Sequence, residues 1–260
     1  DAYTTIPAGS YGNIGRAIDE TVRLYGGPSL PWPLYSVPVL ALVAVLGYRH
    51  IDLSAKVRGV ALALEIGIVI VLDLVILARP GPEGITMAPL DPSVFTDGPL
   101  GIAVLFALTG FIGFEATAVF RDEARHPERT IPRATYIAVI LIGAFYAVTC
   151  WMFVIADGVV GVRESADATL AGEANMLLDT TGVMLVAIGR DIVTVLLLTS
   201  LFACVLSFHN VIARYQFALA GDGQLPRWLH QTHARHGSPS RSSLVQTITA
   251  LVILLVFAVF

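Results

Sequence analysis

One carboxylate, Glu115, stands inside the otherwise apolar run Leu100 to Phe120, two residues past the stretch Thr109, Gly110, Phe111, Ile112 and Gly113. A charged side chain in the hydrocarbon of a bilayer costs about 3 kcal/mol or more unless it is paired, hydrated or protonated, so it marks function before packing. Two glycines three residues apart weaken a helix at this point. An interrupted helix at membrane depth leaves carbonyl and amide groups that only a partner helix, water or a ligand can satisfy, and such breaks are where secondary transporters bind substrate. Gly110 and Gly113 would also suit close packing of two helices; Glu115 is what favours the functional reading.

A second pair of acids, Glu65 and Asp73, lies in another apolar run, about 80° apart on a helical wheel. A buried carboxylate favours its neutral form, so Glu65, like Glu115, is a candidate proton carrier. Asp73 falls near the outer end of its run, within reach of Arg79, where charge is better tolerated. His230, His233 and His236 include a common zinc ligand type, but their spacing spreads around a helix, the flanking Pro226, Gly237 and Pro239 read as loop, and no Cys or carboxylate completes the set. No metal or cofactor is expected. His209 reads as a hydrogen-bonded packing residue and Cys150 and Cys204 as small fillers within apolar runs. There is no phosphate-binding glycine loop and no nucleophile-base order of a hydrolase, so an enzyme is not expected.

The elements that must position these residues follow from composition. The chain of 260 residues is 55% hydrophobic and 14% charged, far more apolar than an average soluble domain. An all-α integral membrane protein is expected, because a helix of roughly 17 to 25 apolar residues crosses a bilayer. The spans read Pro31 to Tyr48, Gly59 to Leu77, Leu100 to Phe120, Ala134 to Ala156, Ile192 to Leu219 and Leu244 to Phe260, in a single transmembrane domain. Tyr3 to Tyr25 is either the outer end of another helix or an ordered loop. Asp157 to Gly189 is the longest polar connection, an outer cap that can fold partly into an amphipathic helix. Asp1 is not a start methionine and the last span stops abruptly, so the chain is expected to be part of a larger protein.

Arginine and lysine set the orientation. Arg49, Lys56 and Arg58, then Arg121, Arg125, Arg129 and Arg133, then Arg214, Arg227, Arg235 and Arg241 fall on alternate connections, eleven on one side. The other side holds five, Arg16, Arg23, Arg79, Arg163 and Arg190, diluted by acids. The richer side is cytoplasmic. The arginines near Glu123 and Glu128 can also form ion pairs that change as a pathway opens, though exposed pairs contribute only about 0–1 kcal/mol each. The net charge of −4 and the lack of a basic face interleaved with aromatics argue against nucleic acid as a partner.

Two segments carry a resemblance. Phe111, Gly113 and Glu115, followed by Glu123, Pro127, Arg129, Ile131, Pro132, Arg133 and Ala134, match the F-x-G-x-E and E-x-x-x-P-x-R-x-I-P-R-A patterns of the sixth helix and following loop of the amino acid-polyamine-organocation (APC) permeases. Ala213 and Arg214, then Ala218, Ala220, Asp222, Gly223, Leu225 and Pro226, are similar to the run after that family's eighth helix. The resemblance covers nearly the whole chain and implies family helices four to nine of an inverted-repeat, LeuT-like fold, without the first helix that holds the substrate carboxylate.

It also implies that carbonyls of Thr109 and Ile112 receive a substrate ammonium, with Phe111 as a lid and Ser207 and Phe208 lining the side-chain pocket. Ser207 can equally bond a carbonyl one turn back, and Phe208 can serve as packing. Some proton-coupled relatives carry a lysine near the position of Glu65, and this chain departs from that pattern. The reading is a secondary active transporter of an amino acid or related amine across the plasma membrane by alternating access, coupled to protons or working by exchange. Its partners are then the small-molecule substrate, the lipid bilayer and protons. An uncoupled channel or uniporter, or a membrane sensor or scaffold that transports nothing, are the competing readings.

Overall fold

Apolar stretches that must satisfy every backbone group without water fold as helices, and the computed structural model, which describes residues 7–49, 55–93, 100–113, 126–171, 174–233 and 238–259, has helices and no strand among those residues. The α-helices are α1 Pro7–Leu24, α2 Trp32–Arg49, α3 Ala55–Ala78, α4 Leu100–Thr109, α5 Pro127–Ala171, α6 Met176–Met184, α7 Val186–Gly221 and α8 Ser240–Val259. Four of them, α3, α5, α7 and α8, are long and apolar enough to cross a membrane, and α2 is an apolar helix just shorter. Large apolar side chains such as Leu62, Leu64, Ile70 and Leu74 of α3 are exposed on the bare chain, a surface suited to lipid tails or to other apolar protein. The chain is an all-α, multi-pass membrane protein.

It divides into two compact units, one from the residues up to Ala61 with those from Val195 onward, the other Leu62–Thr194. In the first, α1 and α8 pack on α2. Its core is Leu40, Val43, Val205, Leu206, Ala250 and Leu254. Two polar contacts lie inside it: His209, 1% exposed, has Nε2 3.1 Å from Ser243 Oγ while its Nδ1 is buried without a hydrogen-bond partner, and Ser238 Oγ donates to the Tyr48 carbonyl at 2.7 Å.

The second unit is built on Leu72 and Ile76 of α3 against Met152, Phe153, Ile155 and Ala156 of α5. The connection after α3 is stapled to α5. Trp151 Nε1 donates to the Thr86 carbonyl at 2.8 Å, and Glu83 Oε1 accepts from the Val159 amide at 3.1 Å. That second bond falls where α5 breaks, at Gly158 with φ 78° and ψ 167°, a conformation open essentially to glycine alone. The helix that resumes at Val159 therefore begins with a carboxylate on a free amide, where the helix dipole favours it.

The stretch Asp157 to Gly189 is mostly helical: α5 runs on to Ala171, α6 follows, and α7 starts at Val186. Asn175 caps α6 by accepting from Leu178 N at 3.2 Å, and Asp179 returns the bond to Asn175 N at 3.1 Å. Tyr3 to Tyr25 falls largely on α1.

Candidate functional site

Helix α4 ends at Thr109, and the chain tightens into a turn. The amides of Gly110, Phe111 and Ile112 donate to the carbonyls of Phe106, Leu108 and Thr109 at 3.2, 3.1 and 3.2 Å. Thr109 Oγ1 also returns to the Phe106 carbonyl, at 2.7 Å. Gly113 then turns away with φ 106°. The result is the carboxyl end of a short apolar helix, where the last carbonyls carry the negative end of the helix dipole. Each carbonyl has a second lone pair beyond the one used in the turn, so the Thr109 carbonyl keeps capacity for a cationic donor such as an ammonium group.

The break leans on α5. Phe111 meets Tyr146 edge to face, with ring centroids 6.3 Å apart. Gly110 lies so close to the same ring that a Cβ there would stand 2.9 Å from Tyr146 Cε2, and Gly143, one turn earlier on α5, makes room for the tip of Phe111. Tyr146 and Gly143 are neighbours of the candidate site that sequence reasoning missed. Their only signal was aromatic and small residues four positions or fewer apart on an apolar helix, which is common in any such helix.

Glu115 lies outside the described residues, as do Arg121, Glu123 and Arg125 of the loop that follows. Glu65 is half-buried on α3. Ser207 is exposed and Phe208 half-buried on α7, both in the first unit, whereas Thr109 to Gly113 belong to the second. Asp73 is more deeply buried than Glu65, and its partner is Thr149 rather than Arg79. His230 is stacked on Phe217, centroids 4.0 Å apart, with Nδ1 3.0 Å from the Phe217 carbonyl; a carbonyl only accepts, so Nδ1 carries the proton. His233 packs edge-on against Tyr48.

The Asp222-Gly223 pair has a plain structural role. With Gly223 at φ 78°, its amide donates to Ala220 at 3.3 Å and that of Gln224 to Leu219 at 2.9 Å, the paired bonds of a glycine-terminated helix. The motif is the stop signal of α7.

Comparison with known proteins agrees with this architecture. The chain is 33% identical over 232 residues to an uncharacterized transporter of Mycobacterium tuberculosis, covering 88% of this chain and 50% of that protein. It is 27% identical over 229 residues to the branched-chain amino acid permease BcaP of Lactococcus lactis, covering 85% and 46%. Against the serine/threonine exchanger SteT of Bacillus subtilis the identity is 25% over 232 residues, covering 86% and 48%. The chain thus spans about half the length of the curated relatives it matches. A family model described as amino acid permease matches residues 5–260, taking in the helix break at Gly110, the cap at Gly223 and every described helix between, and by that match the chain belongs to the amino acid permease family.

Proposed function

We propose that the protein of which this chain forms part is a secondary transporter of amino acids or related amines, working by alternating access across the cell membrane. The observation that carries the reading is the end of α4. A helix that stops at Thr109, inside an apolar run, turns its last carbonyls, at the negative end of its dipole, toward whatever cation occupies the break, and an amino acid brings an ammonium group. Thr109 and Ile112 supply carbonyls, Gly110 and Gly113 permit the turn, Phe111 covers it from the side of Tyr146, and Glu115 senses or stabilises the occupied state. Ser207, Phe208 and Glu65 are assigned to the side-chain pocket and to coupling on resemblance and position alone. The names of the relatives, a branched-chain amino acid permease and a serine/threonine exchanger, make neutral amino acids the first candidates.

The test is uptake of radiolabelled leucine, isoleucine, valine, serine and threonine, with a panel of amines, into proteoliposomes holding the full-length protein under an imposed proton gradient. Concentrative uptake of at least one, abolished by an uncoupler and reduced tenfold or more by Glu115→Gln, is the expected result. Flux that only follows the substrate's own gradient would assign a uniporter, and no flux of any candidate would sink the transport reading.

A further inference from the structure

Asp73 sits on α3 beside Leu72 and one turn before Ile76, both buried in the core of the second unit. It is itself only 7% exposed. Its Oδ2 accepts a hydrogen bond from Thr149 on α5 at 3.1 Å, while Oδ1 is buried with no hydrogen-bond partner. Thr149 departs from a local habit. Thr135, Thr181, Thr194, Thr247 and Thr249 each return the hydroxyl to the carbonyl four residues back, the usual way a threonine satisfies itself in a helix. Thr149 gives its hydrogen to a carboxyl on a neighbouring helix instead.

No cation balances that carboxyl among the described residues. The charged groups on the surrounding elements toward the same end are Arg79, Glu83 and Asp91 after α3, Asp157, Arg163, Glu164 and Asp167 on α5, and Asp179 on α6, while Glu65 on α3 and Glu128, Arg129 and Arg133 at the start of α5 lie two or more helical turns away along their own helices. Glu83 is engaged with the Val159 amide and Asp179 with that of Asn175. Arg79 is exposed, and Arg190 lies beside Asp191 at 3.8 Å. Cys150, next to Thr149, is within electrostatic reach of the carboxyl but brings no positive charge. An ionised carboxylate buried among apolar side chains with one neutral hydrogen bond is strongly disfavoured. A hard metal cation would want about six oxygen ligands, and here there are a carboxyl and a hydroxyl. A proton needs one oxygen, and Oδ1 is free to take it.

We propose that Asp73 and Thr149 form a proton-binding site, in which the carboxyl is protonated in this conformation and Thr149 holds the other oxygen. Asp73 lies near the end of α3 at Ala78, remote from the basic residues Lys56 and Arg58 that face the cytoplasm, so the proton exchanges with the outer side. On release the O–H bond breaks with its electron pair kept by the carboxylate, and the proton passes to water admitted when the helices part. The contribution of this site to transport rests on the proposed function; the proton itself does not.

The experiment is infrared spectroscopy of the full-length protein in lipid at neutral pH, comparing wild type, Asp73→Asn and Thr149→Val. A protonated-carboxyl C=O band worth one group, missing from Asp73→Asn and shifted in frequency by Thr149→Val, is expected. Identical wild-type and Asp73→Asn spectra in that region would overturn the proposal. In proteoliposomes Asp73→Asn is expected to keep counterflow of labelled amino acid while losing tenfold or more of gradient-driven accumulation, and undiminished accumulation would overturn the coupling role. A wild-type protein that moves no amino acid refutes the transport reading, and the infrared band then decides the proton site alone.

Discussion

At Gly110 the absence of one carbon has a measurable value. A Cβ there would stand 2.9 Å from the Tyr146 ring, closer than unstrained carbon atoms approach, and a branched side chain would push the ring or the turn aside. Gly110→Val is therefore expected to cut uptake by the full-length protein at least tenfold at unchanged membrane abundance, while Gly110→Val with Tyr146→Ala recovers part of it. Equal defects in the single and double variants would show that the ring is not what constrains the turn. The break in the helix at Thr109 to Gly113 could be read from the sequence because two glycines beside an acid in an apolar run are anomalous there. Tyr146 could not, since its importance comes from a helix more than thirty residues away in the chain. The ranking of Glu65 over Asp73 rested on distance from a helix end, and burial follows instead from which face meets α5, so Asp73 lies deeper.

At the scale of elements, the stretch after Gly158 shows what polarity conceals. Val159 to Ala171 carries arginine and acids and reads as part of a polar cap that is only partly helical, because a span needs apolar length; it is helical throughout, with Glu83 on its first amide and Gly158 at the break. Gly158→Ala is expected to cost roughly 1–3 kcal/mol for the backbone conformation, with more from a Cβ 2.9 Å from Glu83 Oε1. Glu83→Ala removes only the cap, about 0.5–2 kcal/mol. Thermal unfolding in detergent should rank wild type above Glu83→Ala above Gly158→Ala, and protease cutting between Val159 and Ala171 should rise in the same order; a fully stable Gly158→Ala would refute the assigned break. The apolar helices were legible because their signal is local: length, composition and flanking charge. The cap of α7 was visible as a motif, but its meaning was not, because Asp222-Gly223 reads equally well as a family signature and as the left-handed stop that geometry reveals.

For the whole molecule the strongest constraint is the side on which each connection lies. Eleven of the sixteen lysines and arginines fall on connections that alternate along the chain, and moving such charges across a bilayer is what insertion avoids. On that count Glu128, at the start of α5, and Asp222, past the end of α7, are expected on the cytoplasmic side and Glu164, beyond the break in α5, on the outer side; all three are exposed. Helix α5 carries Arg129 and Arg133 at its start and passes its apolar stretch before reaching Glu164, so the same count expects its two ends on opposite sides. In a full-length protein whose own cysteines, Cys150 and Cys204 among them, are replaced by serine, an impermeant maleimide applied to intact cells should label Glu164→Cys and leave Glu128→Cys and Asp222→Cys untouched until the membrane is opened. The same orientation would put Asp73 near the outer surface, so labelling of Glu128→Cys from outside would invert the chain and with it the side from which the Asp73 proton exchanges.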